Sequence, residues 1–120
     1  MNSYQDLIVW QKSIVLVKKI FIATGKYPKS ELYGIVSQMR RAAVSIPSNI
    51  AEGYGRKSRK EYAQFISIAY GSGAELETQL IISRDLEFMK EGEFHELNSL
   101  LTEVQKMLNA FLRKLELPAS

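Results

Sequence analysis

Three stretches of this chain repeat apolar residues in steps of three and four, and that periodicity limits the fold more than any other feature. The clearest is Leu97, Leu101, Val104, Leu108, Phe111 and Leu115, the seam of a bundle or coiled coil. Leu32, Ile35, Met39, Ala42, Ile46 and Ile50 share a second face. Leu7, Trp10, Ile14, Val17 and Phe21 form a third, with Ile8, Val15 and Ile22 as another stripe on the same helix and Val9, Leu16 and Ile20 beside them. Period-two alternation is sustained nowhere, so strands are excluded. The chain is expected to be all-α: an antiparallel up-down-up-down four-helix bundle forming a single domain over residues 1–120.

Punctuation sets the expected helix limits at about 6–24, 31–53, 59–89 and 93–115. Asp6 and Ser30 are candidate N-caps, and Gly25 with Pro28 is a stop signal. Ser58 and Glu61 fit a capping box, each side chain bonding the other's backbone amide. Pro47 lies inside the second helix and predicts a kink there, since it lacks the amide and clashes with the carbonyl of Ala43. Gly71 and Gly73 lie inside the third, where close helix approach is the usual reason to tolerate them. The first helix is apolar on more of its surface than one small bundle covers. A second copy of the chain is the expected remedy.

Charge is distributed unevenly. Residues 1–60 carry 11 Lys and Arg against 3 Asp and Glu, a balance of +8. Residues 61–120 carry 5 against 10, a balance of −5. Either the halves neutralise each other, or a basic surface awaits a polyanion or a second copy. Four of the cations, Arg56, Lys57, Arg59 and Lys60, open the third helix. The helix dipole disfavours cations there, and a nucleic-acid backbone would relieve the conflict. Tyr54 and Tyr62 flank the cluster as potential base-stacking rings. Arg40 and Arg41 are the next candidates for phosphate contact.

A polar stripe runs beside the apolar face of the second helix: Gln38, Ser45, Asn49 and Glu52, with Arg41 among them. It reads either as a recognition surface or as a network fixing helix register. Arg40 points away from it, toward Glu75 or Glu77 on the third helix.

Catalysis has little to draw on. There is no cysteine and one histidine, His95. The Glu-x-x-His pairs of a di-iron bundle are missing, and neither a nucleophile elbow nor a phosphate loop is present. No catalytic residue, cofactor or metal site is expected. A hydrolase or nuclease using Glu52, Glu61 or Glu75 is a distant alternative. The longest uncharged run, Tyr62 to Ala74, is too short and polar to span a membrane. No basic targeting segment opens the chain, so a cytoplasmic location is expected.

The stretch Gln38-Met39-Arg40-Arg41-Ala42-Ala43, continuing through Ile46-Pro47-Ser48-Asn49-Ile50-Ala51-Glu52-Gly53, resembles the bacterial four-helix-bundle family encoded by intervening sequences of 23S ribosomal RNA genes, also labelled S23 ribosomal protein. The resemblance begins at Asp6-Leu7-Ile8-Val9-Trp10-Gln11 and runs on through Arg56, Ser58, Glu61, Phe65, Ala69-Tyr70-Gly71-Ser72 and Glu75-Leu76. It implies a ring-like homopentamer without enzymatic activity. It also implies kinship with the accessory variability determinant of diversity-generating retroelements, a basic pentamer that binds nucleic acid and a reverse transcriptase. The expected partners are therefore further copies of the chain, RNA or DNA, or a protein for which the oligomer is a scaffold.

Overall fold

A computed structural model describes residues 3–116 and shows four α-helices, with no strand among those residues. They are α1 (Ile8–Thr24), α2 (Ser37–Tyr54), α3 (Arg59–Asp85) and α4 (Glu91–Glu116). The bundle measures 51 × 21 × 20 Å. Each of α1 and α3 packs on both α2 and α4, so α1 and α3 occupy opposite corners.

The core follows the expected stripe on α4 and, from Met39 onward, the one on α2; Leu32 at the start of that stripe is exposed. Met39, Ala42, Ile46 and Ile50 are buried, facing Leu97, Leu101, Val104 and Leu108. On α1 the buried face differs. It runs through Val9, Ser13, Leu16, Ile20 and Ala23, while Leu7, Trp10 and Val17 pack on its flank and Phe21 is exposed. Ser13 conceals this line in the sequence. Its hydroxyl donates to the carbonyl of Trp10 at 2.7 Å, which lets a polar residue sit fully buried. Ile8, Val15 and Ile22 are exposed in the single chain.

Helix limits depart from expectation in four places. Asp6 does not cap α1; it closes a capping box with Ser3 around the short turn Tyr4–Asp6, and Leu7 precedes the helix. Residues 29–36 form a 3-10 turn and a π turn before α2 begins, so Ser30 is no N-cap. A backbone break that no proline marks falls at Gly34 (φ −111°, ψ −115°), the least hindered residue nearby, while α2 is α-helical through Pro47. Finally, α3 stops at Asp85, because Glu87 turns left-handed (φ 62°). Phe88 N–H then donates to the Ser83 carbonyl and Glu87 N–H to that of Arg84, a Schellman closure usually built on glycine.

The two helix-interior glycines of α3 divide. A Cβ on Gly73 would collide with the Gln105 side chain, which crosses from α4 and donates to the carbonyl of Tyr70 at 2.9 Å. Gly71 is exposed, with open space around it.

Candidate nucleic-acid interface

The basic turn follows from how α2 ends. Gly53 is buried, and a Cβ there would stand 2.8 Å from the Tyr62 ring and 2.9 Å from Cβ of Phe65. That close approach of α2 to α3 folds residues 55–58 into a short connection across one end of the bundle. Ser58 caps α3 by accepting from Glu61 N–H at 3.1 Å. The reciprocal half of the box differs from expectation: the Glu61 carboxylate accepts from the Ser58 hydroxyl at 3.2 Å.

The four cations then separate into two kinds. Arg56 donates to the Glu52 carboxylate at 2.9 Å and lies 4.6 Å over the Phe65 ring. Arg59 donates to the carbonyls of Lys114 and Leu115 at the end of α4. A cation is favourable at that helix end, so Arg59 serves one dipole while opposing another, and for this residue the conflict is met inside the fold. Lys57 and Lys60 are exposed and make no ion pair among the described residues. Lys60 borders a groove of about 570 Å³ with Ala63, Gln64 and Ser67 of α3 and Leu112, Leu115 and Glu116 of α4.

The meeting of α3's start with α4's end also brings in residues that sequence reasoning passed over. Arg113 and Lys114 are exposed in the last turn of α4. They join the turn cations at the same end of the molecule. Short connections in a four-helix chain were the available signal, since they place the fourth helix's end beside the third helix's start.

The aromatic flank is less accessible than expected. Tyr62 packs edge-on against Phe111 at 5.1 Å and Tyr54 at 6.3 Å. Burial pushes its hydroxyl up to about 12, so it stays protonated and committed to packing rather than to stacking on bases. Tyr54 is half-buried.

Arg40 and Arg41 part company. Arg40 does not reach Glu75 or Glu77. It caps α1, donating to the Thr24 hydroxyl at 3.0 Å and the Phe21 carbonyl at 3.4 Å, with its guanidinium 4.7 Å over the Phe21 ring. The Phe21 carbonyl already accepts from Gly25 N–H at 3.1 Å, so Arg40 adds a second donor at a helix end where a cation is favourable. Arg41 is exposed and borders a groove of about 380 Å³ with Gln38, Ala42, Ser45 and Glu75.

Along the polar stripe, Asn49 donates to the Ser45 carbonyl at 2.8 Å and to its hydroxyl at 2.9 Å. Ser45 in turn bonds Ser72 of α3 at 2.8 Å. Glu52 holds Arg56. These bonds tie α2 to α3 and to the basic turn, so this part of the stripe acts as a register-fixing network. Gln38 stays exposed at its far end.

His95 is exposed on α4. No group of three His, Cys, Asp or Glu able to hold a metal occurs among the described residues. No described helix is long and apolar enough to cross a membrane.

These features define an all-α four-helix protein with a cationic end and a polar α2–α3 seam. The family model described as 23S rRNA-intervening sequence protein matches residues 5–110, and the chain belongs to that family. Its fold is similar to the crystal structure of a protein of unknown function from the S23 ribosomal protein family of Bacteroides thetaiotaomicron VPI-5482. That similarity has a TM-score of 0.81 at 22% identity, over 88% of this chain and 99% of the other. No curated protein matches the chain.

Proposed function

We propose that this protein is a non-enzymatic, homo-oligomeric binder of RNA or DNA, made of antiparallel up-down-up-down bundles. The family resemblance implies a ring of five. The observation that carries the nucleic-acid reading is the cationic end, where Lys57 and Lys60 lack carboxylate partners and Arg113 and Lys114 add two more exposed charges. The antiparallel order of α1 and α4 is supported by ion pairs whose carboxylates descend α4 as the lysines ascend α1 and the turn after it. Binding would proceed by phosphate neutralisation with little base readout.

Filter binding of single-stranded RNA and DNA between 50 and 200 mM salt tests it. With roughly three phosphate contacts per site, affinity falls by a factor of tens across that range. No binding at 50 mM, or affinity indifferent to salt, would leave the second reading, an oligomeric scaffold for a protein partner. That reading draws on the exposed apolar residues of α1 and α3 and on the internal engagement of Arg40, Arg56 and Arg59.

A further inference from the structure

Two exposed stripes stand at opposite corners of the bundle, and they have the same spacing. On α1 they are Ile8, Gln11, Val15, Lys18 and Ile22; on α3 they are Ile68, Gly71, Glu75, Thr78 and Ile82. Each steps by three and four over fourteen residues, about 21 Å of helix. The apolar members are unusually open for their type: Ile8 is 59% exposed, Ile22 70%, Ile68 51% and Ile82 43%. Lys18 and Glu75 each sit near the middle of their stripe without an ion pair among the described residues.

From this we infer that the α1 stripe of one copy packs on the α3 stripe of the next, with Lys18 of the first against Glu75 of the second. The inference rests on the homo-oligomer part of the function proposed above and assigns its contact faces.

Three observations favour a second copy as the occupant. The matched spacing sets Ile8 and Ile22 on Ile68 and Ile82 whichever way the helices run, a knobs-into-holes seam. It sets Val15 over Glu75 and leaves Lys18 one turn away, within reach of that carboxylate. Gly71, with open space where a side chain would stand, leaves room for the longer Gln11 or Lys18 opposite. The last point gives that glycine a purpose the single chain does not provide, against its cost of about 1 kcal/mol relative to alanine.

The contact is also head-to-tail. Pairing α3 with itself would set Glu75 against Glu75, and pairing α1 with itself would leave the α3 stripe in water. Because α1 and α3 are at opposite corners, each copy presents one face forward and the other behind, the geometry that closes into a ring or extends as a filament.

Light scattering on two variants tests this. Ile22→Lys blocks the α1 face and Ile82→Lys blocks the α3 face. Each alone should fall from the assembly mass to that of one 13.7 kDa chain, and an equal mixture should form a one-to-one dimer through the single intact pair of faces. Both sites are exposed in the single chain, so the circular dichroism spectra should keep the parent's helical content even though loss of the interface lowers the melting temperature; Ile8→Lys and Ile68→Lys serve as a second pair giving the same readout. Lys18→Glu should weaken assembly and Glu75→Lys should restore it. Variants that keep the parent's mass, or a mixture that stays monomeric, overturn the face assignment alone. A monomeric parent overturns the homo-oligomer reading with it.

Discussion

Helix α1 and the turn of residues 56–60 are both rich in cations, and they dispose of them differently. Lys12 and Lys19 of α1, and Lys26 just past its end, reach across to Glu103, Glu96 and Glu93 on α4 at 2.6–2.7 Å, leaving Lys18 of that helix without an ion pair among the described residues. These contacts draw positive charge from the first half of the chain onto negative charge from the second. In the turn, Arg56 is held by Glu52 and Phe65, Arg59 by the end of α4, and Lys57 and Lys60 are left to solvent. A count of +8 in one half therefore overstates the field that half can project. What a polyanion would meet is the charge left after internal pairing: Lys57 and Lys60 at one end of the bundle, with Lys18 on α1 and Arg41 on α2 standing apart from them.

The contrast can be broken most directly by unseating the turn. Gly53→Val should push against the Tyr62 ring and Phe65, destabilising the fold by about 2 kcal/mol in urea unfolding, the usual scale for overpacking. Nucleic-acid affinity should fall with it; a variant of parental stability would mean that the close approach at Gly53 does not seat the turn. Next in size, Lys57→Ala with Lys60→Ala should reduce affinity roughly tenfold at low salt and flatten the salt slope by about two, leaving the unfolding midpoint in place. Replacing Lys12 and Lys26 by alanine should do neither, because their charges are already met. If the two pairs of replacements affect binding equally, the distinction between paired and unpaired cations fails. Smaller again, Arg59→Ala should cost about 1 kcal/mol in stability by releasing the last carbonyls of α4. Arg59→Lys should recover only part of that stability, since a lysine lacks the fork that spans two carbonyls.

Legibility in the sequence followed periodicity. The stripes of α2 and α4 were readable because their core positions are uninterrupted apolar residues, from Met39 to Ile50 and from Leu97 to Leu108. On α1 the true core line passes through Ser13, and the polar residue diverted attention to the flanking Leu7, Trp10 and Val17. The end of α3 was missed for a similar reason: a left-handed closing residue is expected to be glycine, and here it is Glu87. At the candidate site the residues were legible and their partners were not. Arg40 and Arg59 were picked out as exposed cations, yet each caps the end of a helix remote in sequence, α1 for Arg40 and α4 for Arg59. Such contacts depend on which helix ends meet, and no local pattern records that. Arg113 and Lys114 escaped notice for the same cause.

The ion pairs of α1 offer the finest test, because they should respond to pH while the turn's lysines should not. Lys19 bonds the Glu96 carboxylate at 2.6 Å and, by that bond and by its charge, holds the carboxyl below its ordinary value of 4.5. A carboxyl lowered in the folded state adds stability above the unfolded chain's pKa and loses it as pH falls through the folded one. Lys19→Ala should thus lower the urea midpoint slightly at pH 7, with the gap to the parent closing below pH 4. Both groups are solvent-exposed, so the difference should be the smallest of those considered and should shrink with added salt. A gap that persists unchanged at pH 3 would mean that Lys19 contributes through the packing of its stem along α4 rather than through its charge. The ladder joining α1 to α4 would then be an apolar seam with charged tips, and the contrast with the turn would narrow to one of position alone.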